Sequence, residues 1–283
     1  MMIDLMNKLR RYAIRWELSG FKQIDYKSVT VNRLFTCVSA ERGACVLKIG
    51  YDIKDIKNEY NILQEYKDTR FCKVYEADIA SGVVLLERII PGTQLREEPD
   101  LDKRLDLFCE IFNGLHTQPV DKIIYPTYME WVSRITKYML GRKDYEALAH
   151  KMVLAEQVCC ELWKKYSEEM LLHGDLHHDN ILLGEDNDYR IIDPKGVIGD
   201  RVFDTPRFIL NEFDDELGYD FDKKFEYIVG TFSEKLGIPE QDIRCLVYVE
   251  MCMAQCWHVE SGQEPNMDEV MFVEHMMKRK NER

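Results

Sequence analysis

The chain has 283 residues, 46% of them hydrophobic, and a formal net charge of −13. It is long enough to bury a sizeable core without staples, and its acidic balance sets it against nucleic-acid binders, which usually show a basic face. No apolar run approaches bilayer length. The N-terminus, Met1-Met2-Ile3-Asp4 followed by Lys8-Leu9-Arg10-Arg11, lacks the apolar centre of a secretory signal.

In chain order, residues 5–18 have the spacing of an amphipathic helix, with Leu5, Leu9, Tyr12 and Trp16 on one side. Val29, Val31 and Phe35 alternate as in a strand. Glu41-Arg42-Gly43 reads as a hairpin turn, and Cys45-Val46-Leu47-Lys48-Ile49 returns as a second strand. Residues 53–67 form a predicted helix with Ile56, Tyr60 and Leu63 on one face. Val83-Val84-Leu85-Leu86 is a buried strand stopped by Pro91-Gly92.

After Pro91 the pattern becomes helical: Leu101 to Leu115, then Leu148 to Tyr166, Phe221 to Phe232 and Ile243 to Trp257. Ile181-Leu182-Leu183 and Tyr189-Arg190-Ile191-Ile192, flanking Gly184 to Asp188, form a predicted hairpin. The expected organisation is α+β: a small β-rich lobe over residues 1–90 and a larger, mainly helical lobe over residues 91–283. A hinge lies near Glu87–Gly92, and the cleft between such lobes is a favoured ligand site.

The nine cysteines show no paired metal-ligand spacing. Cys159 and Cys160 are adjacent, and Cys252 and Cys256 sit four apart. Reduced, buried thiols and a cytoplasmic location are the expectation.

The densest polar cluster is His173-Gly174-Asp175-Leu176-His177-His178-Asp179-Asn180, with Ile192-Asp193 following across the predicted hairpin. Such a hairpin brings Asn180 and Asp193 to its two ends. Their oxygens suit a hard Mg²⁺ ion whose other partners are nucleotide phosphates. Asp175 is then left to accept a hydroxyl proton. A base, metal ligands and a phosphate-binding lysine make up a phosphoryl-transfer layout. The lysine candidate is Lys48, and Glu59 on the next helix is its candidate partner. The alternative for Lys48 is a solvated position on the strand's polar face.

These motifs resemble the catalytic and metal motifs of the aminoglycoside phosphotransferase-like kinases. Asp193-Pro194-Lys195-Gly196, then Gly199-Asp200 and Asp204, look most like the branch that phosphorylates streptomycin or hydroxyurea. Leu115-His116, soon followed by Pro119-Val120, also looks like a family helix end. The resemblance implies a two-lobed protein-kinase-like fold, ATP or GTP with Mg²⁺ as cofactors, and a small hydroxylated acceptor. Neither a nucleic acid nor a membrane is implied as a partner. A cationic acceptor is compatible with the net charge.

Carried over position by position, Asp175 is the base, and Asn180 and Asp193 hold the metal. Lys48 meets the α- and β-phosphates, and Glu59 holds Lys48. The Glu87 carbonyl and the Ile89 amide meet the adenine edge. No Gly-x-Gly-x-x-Gly loop precedes Lys48, so residues 22–28 are left to cover the phosphates, with Ser28 among the donors. Pro194-Lys195 stands where protein kinases carry Phe-Gly, and no Ala-Pro-Glu follows, which argues against a protein-kinase activity.

Other readings compete. His173 to Asp179 has the residue types of a metal-dependent hydrolase, and a nucleotide-binding protein without catalysis is a third class. His173 is read as structural, tying the loop to backbone. Asp200 and Asp204 brace that loop or cap a helix. Glu212, Asp214, Asp215, Glu216, Glu250 and Glu260 are the carboxylates available to hold amines of an acceptor. A solvated charge run is the alternative for them.

Overall fold

An apolar residue every three or four positions turns the first segment into helix α1 (Met2–Arg15). Leu9 and Tyr12 enter a core with Leu18, Phe35, Cys37, Leu47, Ile49 and Leu85, and Leu5 and Trp16 pack against it. The computed structural model describes residues 2–24, 32–67, 69–213 and 221–279. The helix stops three residues before its expected end. Glu17 adopts φ 50° and redirects the chain, so that Leu18 opens strand β1 (Leu18–Gln23).

Strands β2 (Arg33–Ser39) and β3 (Gly43–Ile49) form the expected hairpin, with Gly43 at φ 74° in its turn. Val29 and Val31 lie outside the described residues. Helix α2 (Ile53–Glu65) starts at Asp52, whose carboxylate accepts the Lys54 N–H at 2.7 Å. Strands β4 (Val74–Asp78) and β5 (Val83–Glu87) complete an antiparallel sheet ordered β1-β2-β3-β5-β4. Cys45, Leu47 and Ile49 are fully buried on one face of β3, so the period of two sends Lys48 to the other face.

The helical part contains α3 (Leu101–Asn113), α4 (Tyr128–Leu140) and α5 (Glu146–Lys165). Thr127 and Glu130 close a capping box at the start of α4. Strand β6 (Met170–Leu172) precedes the predicted hairpin, formed by β7 (Ile181–Leu183) and β8 (Tyr189–Ile191). Strand β9 (Val197–Gly199) pairs with β6. Then come α6 (Pro206–Asn211), α7 (Phe221–Leu236), α8 (Glu240–Glu260) and α9 (Met267–Lys278). Helix α8 is buried over most of its turns, from Ile243 to Val259. It packs on α4, α5, α6, α7 and α9 as the axis of the helical core.

Two compact units result. One runs to Leu95 and includes Asp179–Lys195. The other comprises Arg96–His178 and the chain from Gly196. The β7–β8 hairpin joins the sheet-bearing unit through its backbone. Ile191 N–H donates to Arg70 O and Cys72 N–H to Ile191 O, each at 2.9 Å, and Leu183 N–H donates to Thr93 O at 2.8 Å. Among the described residues no helix is long and apolar enough to cross a membrane.

Candidate active site

In the sheet-bearing unit, Lys48 is 4% exposed. A lone ammonium there would be expensive. Two carboxylates meet it: Glu59 Oε2 at 2.6 Å from α2, and Asp193 Oδ1 at 2.5 Å. Burial alone would lower the lysine's proton affinity, but Glu59 and Asp193 outweigh it and raise it above the ordinary range. Burial pushes the Glu59 carboxyl up, and Lys48 opposes that.

Asn180 and Asp193 sit at the two ends of the β7–β8 hairpin, whose stem is closed by Ile192 N–H donating to Asn180 O at 3.0 Å. Asp193 adopts φ 58°, a region that costs a non-glycine residue energy and marks functional positions more often than chance. Lys195 Nζ takes its second oxygen at 2.6 Å. Burial works to raise this carboxyl, but Lys48 and Lys195 dominate and hold it well below the usual carboxylate range. Asp193 is therefore an anion at neutral pH, with each oxygen already facing a cation. An amide oxygen and an ionised carboxylate at the ends of one hairpin form a donor set that suits Mg²⁺.

Glu87 ends β5, and its N–H donates to Lys73 O at 2.8 Å. Its carboxylate pairs with Arg190 at 3.2 Å and accepts the Lys73 N–H at 3.0 Å. Ile89, 8% exposed, lies just beyond the strand. Ser28 lies outside the described residues. Lys22, expected in a phosphate-covering loop, instead lies in β1, paired with Thr36 of β2. Only Leu18 of that strand is fully buried, so it carries little of the apolar alternation that marks a strand.

In the helical unit, Asp175 follows β6 in a loop that its neighbours hold. Asp204 accepts the N–H groups of both His173 and Gly174 at 2.8 Å, and its third partner is His116 Nε2 at 3.0 Å. His173 is fully buried, and its Nδ1 accepts the Asp175 N–H at 3.1 Å. Gly174 takes φ 77°, and a Cβ there would come within 2.9 Å of the Trp131 ring. Asp200 caps the following turn through the Val202 N–H at 3.2 Å. The Asp175 carboxylate has Arg207 Nε at 3.3 Å and His177 Nε2 at 3.7 Å, both from Oδ1.

Arg207 is a site residue that sequence reasoning missed. Its signal was a lone cation inside the apolar run Pro206-Arg207-Phe208-Ile209-Leu210, where burial demands a partner.

The carboxylates expected to hold an acceptor are committed elsewhere. Glu250, 3% exposed, pairs with Arg207 at 2.5 Å and accepts the Tyr128 hydroxyl at 2.6 Å. Glu260 forks with Arg134 at 2.7 and 3.0 Å. Glu212 is buried, with Arg104 donating to both its oxygens at 2.8 Å and His178 Nε2 at 3.0 Å. Asp214, Asp215 and Glu216 lie outside the described residues. His178 also stacks on Phe208, with centroids 4.4 Å apart. With His173 and His178 so engaged, two donors of the hydrolase cluster are taken. Among the described residues no group of three or more His, Cys, Asp or Glu side chains could hold a metal.

Glu212 gives a pH-dependent prediction. Burial opposes its ionisation, but His178 and Arg104 hold its carboxyl well below the ordinary value. A depressed acid contributes stability above its unfolded value of about 4.3 and loses it as pH falls through the folded value. Glu212→Gln should cost roughly 1.5–3 kcal/mol at pH 7. That difference should fade below about pH 4 in denaturant unfolding run across pH. A loss that does not change with pH would contradict the charge assignment.

The sequence carries this architecture into a known group. The family model for aminoglycoside/hydroxyurea antibiotic resistance kinases matches residues 15–262. The chain is 31% identical over 204 residues to the hydroxyurea phosphotransferase of Kitasatospora aureofaciens, spanning 69% of this chain and 57% of that protein. It is 28% identical over 166 residues to the streptomycin 3''-kinase of Klebsiella pneumoniae, spanning 56% and 58%. The matches therefore span less than two thirds of these relatives' length.

Among solved structures, choline kinase LicA from Streptococcus pneumoniae superposes with a TM-score of 0.70 at 14% identity, over 96% of this chain and 98% of its own. A thermostable mutant of the aminoglycoside phosphotransferase APH(4)-Ia, in ternary complex with ADP and hygromycin B, gives 0.63 at 12% identity, over 95% of each chain. These likenesses show the two-lobed protein-kinase-like fold. Together with the family match across nearly the whole described chain, they lead to one conclusion: the protein belongs to the aminoglycoside/hydroxyurea antibiotic resistance kinase family.

Proposed function

We propose that the protein is a phosphotransferase that moves the γ-phosphoryl group of ATP to a hydroxyl of a small acceptor. The observation that carries this is Lys48: a buried strand lysine clasped by Glu59 and Asp193, in a family of kinases. Asp175 is the general base. It orients the acceptor hydroxyl and takes its proton as the new O–P bond forms and the bond to the departing ADP breaks. Lys48 reaches the α- and β-phosphates, and Glu59 aims it.

Asn180 and Asp193 would hold Mg²⁺, which when bound would offset the charge on the phosphate oxygens. The Glu87 carbonyl and Ile89 amide read the purine edge, and Ser28 is a donor to the phosphates. Residues 1–90 would carry most nucleotide contacts, and residues 91–283 the base and the acceptor site. All nine cysteines are free, which fits work in the reducing cytoplasm. GTP is the alternative donor.

The named relatives guide the acceptor screen. Purified protein is incubated with MgATP or MgGTP and streptomycin, hygromycin B, hydroxyurea or choline. ADP or GDP release and the mass of the acceptor are followed. Binding of one nucleotide and phosphoryl gain by one acceptor is the expected result. If neither nucleotide binds, the reading falls.

A further inference from the structure

The buried charges around Asp175 exceed what packing requires. Glu250 lies on α8 at 3% exposure, where burial pushes its carboxyl up and Arg207 and Tyr128 pull it back. Such a buried ion pair rarely stabilises more than an apolar pair of the same volume would, so its retention asks for another reason. The geometry supplies one. Tyr128, on α4 and 2% exposed, donates to Glu250 Oε2, which fixes the plane of that carboxylate. Glu250 Oε1 holds Arg207 Nη2 at 2.5 Å. The guanidinium lies over the Trp257 ring, 5.2 Å from its centroid, and Trp257 meets Trp131 edge-on at 6.2 Å. In this seat Arg207 Nε lies 3.3 Å from Asp175 Oδ1, an ion-pair approach without an aligned hydrogen bond.

We propose that Arg207 is a positioning residue for Asp175, and that Glu250, Tyr128 and Trp257 serve to seat it. The inference rests on Asp175 being the base. The planar guanidinium has a rigid fork, so a carboxylate at one end fixes the direction of the other. Asp175 is one-quarter exposed, with its side chain at 23%. His177 Nε2 approaches the same Oδ1 at 3.7 Å, and Arg207 supplies the nearer contact. A base contributes mainly through placement, and misplacement by about 1 Å can cost roughly 10²-fold.

The test measures ADP release from MgATP with water as the acceptor, and in parallel with streptomycin and hydroxyurea. The variants are Asp175→Asn, Arg207→Gln, Arg207→Lys, Glu250→Gln and the Asp175→Asn/Arg207→Gln double variant. Arg207→Gln should lower kcat by about 10- to 100-fold with the Kd for MgATP unchanged. Arg207→Lys should recover part of this, because charge returns without the fork. Glu250→Gln, close in shape, should give a smaller loss of the same kind.

Adding Arg207→Gln to Asp175→Asn should cost nothing further, since residues acting as a unit are not additive. Loss of thermal stability is expected either way, because Glu250 is stranded. A merely structural arginine would instead show a kcat loss that multiplies with that of Asp175→Asn. Wild-type kcat in Arg207→Gln, or multiplicative losses, overturns the proposal and leaves the base standing. Wild-type turnover in Asp175→Asn overturns the base assignment itself. Should Arg207→Gln fail to fold, Arg207→Lys and Glu250→Gln read the same kcat-against-Kd split.

Discussion

Asp175→Asn is expected to lower turnover by roughly 10²- to 10⁴-fold, the span of general-base contributions, with MgATP bound at near wild-type affinity. The substitution nearly preserves shape. It removes a negative charge from a loop whose backbone is fixed independently, by Asp204 at the His173 and Gly174 amides. Loop collapse is therefore not the expected cause of the loss. The proposed nucleotide contacts of Lys48, Asn180 and Asp193 remain, so binding survives while proton acceptance does not. Steady-state ADP release and nucleotide titration on the same preparation check both halves. Near wild-type turnover would remove Asp175 from the chemistry.

Lys48→Met is expected to act on stability and on nucleotide binding together. It strands Glu59, 5% exposed, without its cation, and takes one of two cations from Asp193. Removing one partner of a buried pair costs about 3–5 kcal/mol. For a chain of this size each kcal/mol is about 2–4 °C in Tm.

The pH dependence follows from the shifts. Lys48 is raised, so its contribution is complete below the ordinary lysine value and is lost only as pH rises through the folded one. Asp193 is depressed, so its contribution is present above about pH 4 and is lost as pH falls through its folded value. Glu59, raised by burial, can take up a proton in the variant, which reduces the cost in acid. The gap between wild type and Lys48→Met should therefore be largest near neutral pH and narrow toward acid. Calorimetric Tm across pH, with and without MgATP, reads it. An unchanged Tm with intact MgATP affinity would place Lys48 outside the nucleotide site.

Local pattern made parts of this site readable and hid others. The β7–β8 hairpin was legible because two short apolar runs flank a turn-forming stretch. Lys48 and Glu59 could be paired because each is a charge in an apolar context on adjacent elements. Strand β1 was missed because it lies at the sheet edge with a register irregularity between Ser19 and Lys22. Edge strands bury little and alternate weakly. Helix α4 announces itself in the sequence mainly through the capping signature of Thr127 and Glu130. In the sequence, Glu250 and Glu260 read as acceptor contacts because a carboxylate near a motif looks available. Their partners, Arg207 and Arg134, stand 43 and 126 positions away in sequence.

The sequence by itself determined the family, the catalytic-loop motif and the order of sheet and helix, because these follow from residue identity and short periodicities. Only the tertiary structure decided which charges are spent on one another. It showed that Lys48 meets Asp193 across 145 residues, that Arg207 turns from Glu250 to Asp175, and that Glu212 is held by Arg104 and His178. The physical reason is that burial makes an unpaired charge intolerable without specifying its partner. The partner is set by which side chains the packed sheet, hairpin and helices bring within about 3 Å.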